Sequence, residues 1–223
     1  MVNIDVLIRT NRKSISITIS PQGEVIIKAP RSCPINKIEQ VLIKKEGWIN
    51  LHRQRILANR ELNHSIFEYK DILFCGNIYH IVFDDKAKKI ALEENFCIVP
   101  QKYSKNLSRT LSKWYKKIAT SILWGRVEYF SNLMQIEPQD IRLSNARGSW
   151  GSCNSARLVS LNWRLIMVPH NLIDYVVVHE LAHLSQMNHS ALFWGIVSSV
   201  LPDYRLRRQN LKKGDYLLNL FRE

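Results

Sequence analysis

The spacing of apolar residues predicts a β-rich first half of the chain. Polar and apolar side chains alternate over 14–19, which is typical of a half-buried strand, and 25–27 follow as a return strand. Apolar positions then recur at helical spacing and predict a helix over 35–59. Two further strand-like runs predict a hairpin over 69–83, and one or two short strands are expected within 86–100.

Helical periodicity dominates the second half of the chain. A stripe of apolar residues predicts a long amphipathic helix over 105–133. A second hairpin is predicted over 142–165, with its turn in the segment 148–154, which is rich in turn-forming residues. Another helix is expected to open after Pro169, and a basic tail helix is expected near Arg205. Together these elements predict an α+β fold.

Composition and charge indicate a folded protein with a basic surface. The chain has 223 residues, of which 46% are hydrophobic, and its formal net charge is +13. The first sixty residues hold 11 Lys and Arg against 4 Asp and Glu. This excess suggests attraction to DNA or another polyanion, and the alternative is a solvated basic surface with no role in nucleic-acid binding.

Three features of the sequence bear on its location. No apolar run approaches the roughly 18 residues that a membrane span requires, so no membrane association is expected. The start of the chain places charge where a signal peptide would need its apolar stretch. The cysteines are far apart and form no CxxC pair, which indicates reduced thiols in a cytoplasmic protein. They are Cys33, Cys75, Cys97 and Cys153.

The most informative motif is His-Glu-Leu-Ala-His at 179–183. On a helix, His179 and His183 lie on one face, so both imidazoles can reach one zinc ion. Glu180 is offset by one position and therefore flanks a water on the metal, where it can act as a general base. The neighbouring valines and leucines predict a buried helix, in which a glutamate without a partner is costly. A metal site therefore explains Glu180 better than a pair of core histidines does.

A hydrolytic zinc site needs a third protein ligand and an open position. His189 is the favoured candidate, provided that the helix ends before it and the chain turns back. Asn188 suits such a turn, because asparagine tolerates the left-handed conformation. Asp203 and Asp215 are the alternatives. The spacing equals that of the metzincin pattern, but Gln186 stands where that pattern has glycine.

Four segments resemble the YgjP-like metal-dependent hydrolases, a zincin group related to the SprT-like proteases. These segments are 12–17, 150–153, 161–166 and 179–194. The resemblance covers most of the chain, and its match is most specific in the C-terminal half. It implies that His179, His183 and His189 bind zinc and that Glu180 is the general base. It also implies a metallopeptidase.

The domain organisation expected from pattern and resemblance has two parts. Residues 1–104 form a β-rich N-terminal part with one helix, and residues 105–223 form a zincin-like metallohydrolase domain. The predicted reaction is zinc-assisted hydrolysis of a protein or peptide, which the hairpin around Trp150 can bind by strand pairing. Three residues are candidates for stabilising the oxyanion, and the sequence does not choose between them. They are Tyr204, Arg164 and Arg147.

Two other functions stay open at this point. The first is zinc-dependent hydrolysis of a non-peptide substrate such as a nucleotide phosphoanhydride, which the basic surface also suits. The second is a nucleic-acid-binding module whose metal is structural. Glu180 argues against this module, because a structural zinc site is usually closed and has no use for a base.

Overall fold

The computed structural model describes residues 3–20, 23–67 and 70–221. Within these ranges the chain forms ten strands, five α-helices and three short 3-10 helices. The strands make three small sheets of three, three and four strands. This mixture confirms the α+β class.

The chain divides into two compact units, Met1–Phe67 and Glu68–Glu223. This division lies earlier in the chain than the domain boundary expected between residues 104 and 105. The expected boundary stays a prediction. No helix in the described ranges has both the length and the apolar character that crossing a bilayer requires.

The first unit contains three strands and one helix. The strands are β1 (Val6–Thr10), β2 (Ser16–Ile19) and β3 (Val25–Pro30), and α1 spans Ile35–Phe67. β3 is central and pairs in parallel with β1 and antiparallel with β2. Alternate residues of β3 pack with α1, as the period of two requires. The buried residues of this core are Val25, Ile27, Ala29, Ile38, Leu42 and Ile49. Both predicted strands are confirmed, and the helix continues beyond residue 59.

The four-stranded sheet of the second unit contains the predicted hairpin. Its strands are β4 (Asp71–Phe74), β5 (Asn77–Asp84), β6 (Ala91–Glu93) and β7 (Phe96–Pro100), in the order β4-β5-β7-β6. β4 and β5 confirm the hairpin from residue 71 onward, whereas residue 69 lies outside the described residues. β6 and β7 confirm the short strands expected within 86–100.

The turn between β4 and β5 is fastened to the segment that precedes the motif helix. Cys75 and Gly76 both have positive φ, 50° and 85°. Their backbone N–H groups donate to the carbonyls of Ile166 at 2.7 Å and Met167 at 3.1 Å. A Cβ atom at Gly76 would lie 2.6 Å from the Cγ atom of Pro169, so only glycine fits here. These contacts join the four-stranded sheet to the half of the chain that carries the metal motif.

The long helix α2 spans Leu107–Met134 and follows a 3-10 helix at Gln101–Asn106. Its buried side chains recur almost every four residues, which is the stripe that the sequence predicts. They are Leu107, Leu111, Ser112, Tyr115, Ala119, Leu123, Val127 and Phe130. The buried hydroxyl of Tyr115 donates to the carbonyl of Leu73 at 2.6 Å and so ties α2 to the four-stranded sheet.

The third sheet corrects the second predicted hairpin. Its strands are β8 (Asp140–Ser144), β9 (Gly151–Cys153) and β10 (Leu158–Asn162), in the order β8-β10-β9. β8 and β10 are parallel, so they are not the two arms of a hairpin. The segment 148–154, expected to be the turn, supplies the edge strand β9 instead.

Side-chain hydrogen bonds explain this difference. The buried Asn162 amide donates to the carbonyls of Ala146 at 2.6 Å and Ser149 at 3.1 Å, which holds the connection that leads into β9. The reversal comes later, where the Asn154 side chain accepts from the Leu158 backbone N–H at 3.1 Å. The segment does contain turn-forming residues, but tertiary contacts determine which of them reverse the chain.

Three helices complete the second unit. They are α3 (His170–Ala182), α4 (Ala191–Val200) and α5 (Tyr204–Lys213). α3 packs against α2, α4, α5 and β9, so it is covered on most sides. The helix expected after Pro169 and the basic tail helix are confirmed as α3 and α5.

Candidate metal centre

The motif lies on the last turn of α3, which is apolar almost all round. Nine of its thirteen residues are buried, because neighbouring elements cover several faces. Pro169 precedes its first residue with a φ of −54°, which suits a helix start. His179 and Glu180 are thus presented at the end of a rigid element. Histidine and glutamate side chains are otherwise uncommon inside such a core.

The structure brings His179, His183 and His189 together. Their ligand atoms all lie within 4.8 Å of one another. The Nε2 atoms of His179 and His189 are 3.1 Å apart. The ring of His183 lies 5.0 Å from that of His179 and 4.8 Å from that of His189, measured between centroids. The three histidines named from the sequence therefore form one cluster.

The two aspartates considered as alternative ligands are outside this cluster. The carboxylate of Asp203 accepts from Arg207 Nε at 2.8 Å, one helical turn away. The carboxylate of Asp215 accepts from Trp150 Nε1 at 2.8 Å.

A network of side chains returns the chain so that His189 reaches α3. After Ala182 the helix ends, and the Gln186 amide donates to Asn188 Oδ1 and to Ser190 Oγ, both at 3.2 Å. Asn188 Oδ1 also accepts from the Ser190 backbone N–H at 3.2 Å. Asn188 is not among the described residues with positive φ, so the expected left-handed turn is wrong. Its side chain closes the turn instead, together with Gln186.

The nitrogen atoms fit a bound metal ion. The Nδ1 atom of His183 is 3.2 Å from the Gln186 carbonyl, and donation to that carbonyl leaves its Nε2 lone pair for a metal. Two imidazoles on a tetrahedral ion at roughly 2.05 Å have nitrogens about 3.4 Å apart, close to the 3.1 Å between His179 and His189. Burial, followed by the charges of His183, His189 and Arg208, lowers the pKa of His179 to about 3. The imidazole of His179 is therefore neutral near pH 7, which is the state that binds metals.

Glu180 lies beside the cluster and is nearly inaccessible to solvent, with 6% of its surface exposed. Burial raises its pKa to about 8, and a cation bound at the histidines would oppose this shift. The glycine of β9 lies directly against the carboxyl group. A Cβ atom at Gly151 would be 2.7 Å from both Cγ and Oε1 of Glu180. The absence of a side chain at 151 therefore makes room for this carboxylate.

A cavity of about 280 Å³ opens beside His179, His189 and Glu180. Tyr175 of α3 and Gly151 of β9 form part of its wall. Its remaining polar lining comes from Trp150, Arg208, Lys212 and Asp215. The cluster is thus accessible from one side, as a catalytic metal site requires.

Sequence reasoning missed the cationic residues of this cavity. Arg208 and Lys212 are one turn apart on α5 and follow Tyr204 at the same spacing, so all three lie along one face. This spacing was visible in the sequence. Nothing local indicated that this face of α5 meets α3, because the contact joins distant parts of the chain.

None of the three residues proposed from the sequence to stabilise an oxyanion lines the cavity. Arg164 is buried, and its guanidinium donates to the Leu220 carbonyl at 2.9 and 2.7 Å. Arg147 is exposed. The ring of Tyr204 stacks on that of Trp194 at 5.1 Å, and Trp194 stacks on His189 at 5.6 Å.

Comparison with known proteins identifies the family. The model described as "YgjP-like, metallopeptidase domain" matches residues 13–214. A similar solved structure is the crystal structure of the metallopeptidase zymogen of Pyrococcus abyssi abylysin, which is 19% identical with a TM-score of 0.38. That match covers 40% of this chain and 90% of the other. No curated protein matches the chain. Since the family model spans most of its length, the chain belongs to the YgjP-like metallopeptidase family and is a metallohydrolase.

Proposed function

We propose that the protein is a zinc metallopeptidase. His179, His183 and His189 hold the ion, and Glu180 is the general base. The observation that carries this proposal is the convergence of three imidazoles beside one buried carboxylate at an open cavity. A structural metal site would be closed and would not need Glu180.

Zinc is the metal that the ligand set favours. All three ligands are imidazoles, which suit zinc among the common metals, and three protein ligands leave one position open. A zinc ion bound there supplies Lewis acidity, which lowers the pKa of water toward about 7 and polarises a carbonyl group.

Glu180 moves the proton in the proposed reaction. Its carboxylate accepts a proton from the attacking water and then delivers it to the departing amine. Burial strengthens the carboxylate as a base, because desolvation disfavours its charged form. Gly151 keeps the carboxylate in place, since any larger residue would displace it.

The edge strand β9 supports a peptide substrate. It is one of the two edge strands of its sheet, packs against α3 and lies against Glu180 at Gly151. An extended peptide can pair with such an edge and so lie beside the proposed catalytic group in a defined register.

The four free cysteines support a reducing, cytoplasmic location for this reaction.

A non-peptide substrate such as a nucleotide phosphoanhydride is the second candidate. The observation in its favour is the pair Arg208 and Lys212 at the cavity, because cations next to a metal bind phosphates well. The small cavity volume, about 280 Å³, favours a side chain over a nucleotide.

A basic surface away from the metal centre supports binding to DNA or another polyanion. A cavity of about 820 Å³ at the start of α2 is lined by Lys105, Arg109 and Lys113, together with several serines. It shares no lining residue with the metal cavity. We infer that phosphate groups bind along this surface.

The first prediction concerns the metal. Wild type should bind about one zinc per chain, and His189→Ala should weaken binding at least ~100-fold, since even outer-shell partners contribute 10–100-fold. Elemental analysis and chelator competition measure this. The control is His170→Ala, which changes an exposed histidine outside the cluster. Equal affinity of His189→Ala and wild type would place the third ligand elsewhere.

The second prediction concerns Glu180. Glu180→Gln should retain the fold and the zinc but lose about 10²–10⁴ in the rate of hydrolysis, because the general base is gone. Cleavage of unfolded casein and zinc content are measured on the same preparation. Loss of zinc in this variant would show that Glu180 supports the metal, and full activity would exclude it as the base.

The third prediction concerns Gly151. Gly151→Ala should retain zinc but lower kcat about 100-fold, because its methyl group would occupy the place of the Glu180 carboxyl group. Gly148→Ala is a matched control, since no atom outside its chain neighbours lies within 4 Å of a Cβ there. Equal kcat values for the two variants would contradict this positioning role.

The fourth prediction concerns polyanion binding. Replacing Arg109 and Lys113 with glutamine should weaken binding to duplex DNA and lower the salt dependence by about 0.9 for each lost phosphate contact. Fluorescence anisotropy at several salt concentrations measures both. The control exchanges Lys44 and Lys45, exposed lysines of α1, for glutamine. If both double variants lose equal affinity, net charge and not this surface is responsible.

A further inference from the structure

Two cationic side chains at the metal cavity have no part in the proposed proton transfer. Arg208 and Lys212 line the same cavity as His179, His189 and Glu180. A group held by Arg208 would therefore lie in the same cavity as two of the proposed ligands and the proposed base. This position makes Arg208 a candidate for substrate recognition.

One face of the Arg208 guanidinium packs over an aromatic ring, which leaves the N–H groups on its edge available to a ligand. Its central carbon lies 5.2 Å from the ring centroid of Trp194, which is cation–π distance. Trp194 is itself stacked on Tyr204 at 5.1 Å and on His189 at 5.6 Å. The ring of Trp194 thus connects the guanidinium to one of the proposed ligands.

Arg208 differs from the other arginines of α5. Arg207 donates to Asp203 Oδ1 at 2.8 Å and to the Asn171 carbonyl at 3.0 Å. Arg205 donates to the hydroxyl of Tyr204 at 3.2 Å. In the part of the chain that the structure describes, no residue accepts a hydrogen bond from the Arg208 guanidinium. Arg208 therefore lines the cavity with N–H donors that are not hydrogen-bonded to any described residue.

Among the described residues, neither carboxylate of the cavity forms an ion pair or a hydrogen bond with Arg208. Asp215 accepts from Trp150 Nε1 at 2.8 Å, and the charge of Lys212 acts on it. Glu180 lies on α3 against Gly151. Arg208 thus brings to the cavity a cation that has no ion-pair partner among the described residues.

We propose that Arg208, assisted by Lys212, forms a subsite that binds a carboxylate of the peptide substrate next to the scissile bond. This inference rests on the proposed metallopeptidase function. A guanidinium presents paired N–H groups that match a carboxylate, and lysine adds a second charge. The cavity volume of about 280 Å³ suits an aspartate or glutamate side chain. The enzyme should therefore prefer acidic residues at one position beside the cleaved bond.

Small metal-binding probes test this subsite without a known substrate. Butyrohydroxamate is neutral at its tail, whereas succinic monohydroxamate has a similar chain that ends in a carboxylate. Calorimetry on the zinc-loaded protein should show about 10-fold tighter binding of the succinic compound. Arg208→Ala should abolish this preference, so that the two compounds bind the variant with equal affinity. The control Arg205→Ala, on an exposed arginine of the same helix that does not line the cavity, should keep the preference.

Each other outcome overturns a specific part of the proposal. An equal preference in Arg208→Ala and wild type would exclude Arg208 as the anion subsite. Stronger binding of phosphonoacetohydroxamate than of the succinic compound, lost in Arg208→Ala, would show that the subsite takes phosphate and would overturn the carboxylate assignment. Failure of wild type to bind even butyrohydroxamate would overturn the proposed metal centre, and this subsite with it.

Discussion

The desolvation of Glu180 is the constraint on which the rest of the second unit depends. A carboxylate with 6% exposure inside an apolar helix is costly, and it is tolerated only where neighbouring groups are arranged around it. The other buried residues of α3 anchor the helix in the core, so its last turn can carry polar groups at fixed positions. Gly151 then makes space for the carboxylate, and the histidines lie beside it. Burial of this carboxylate thus lowers the local stability, and the packing around α3 holds the residue in place despite that cost.

The third histidine depends on a different kind of interaction. α3 cannot present His189 itself, because a continuing helix would point that residue away from the first two histidines. The chain returns through hydrogen bonds among Gln186, Asn188 and Ser190, which are local and largely polar. The same Ser190 accepts from the Phe193 N–H at the start of α4. The return turn and the next helix are therefore organised by one hydroxyl group.

The parts of this structure that sequence could predict are those that local spacing determines. The histidine cluster follows from four-residue spacing and from the need to bring His189 back, and the buried stripe of α2 follows from its period. The parallel pairing of β8 with β10 could not be read from turn-forming residues, since it depends on Asn162 contacting distant carbonyls. Arg208 was missed for the same reason, because only the packing of α5 on α3 brings it to the cavity. The catalytic and ligand roles themselves stay proposals.

The short length of β9 limits the sequence changes that this strand can tolerate. Side chains alternate across a strand, so Gly151 and Cys153 share one face. Burial, followed by the charge of Glu180, raises the pKa of the Cys153 thiol. Inserting or deleting one residue here would exchange the two faces and direct a side chain at the Glu180 carboxylate. The same slip would move the indole of Trp150 away from Asp215. A strand of three residues therefore does not tolerate an insertion or a deletion, whereas substitutions can still alter its outer edge.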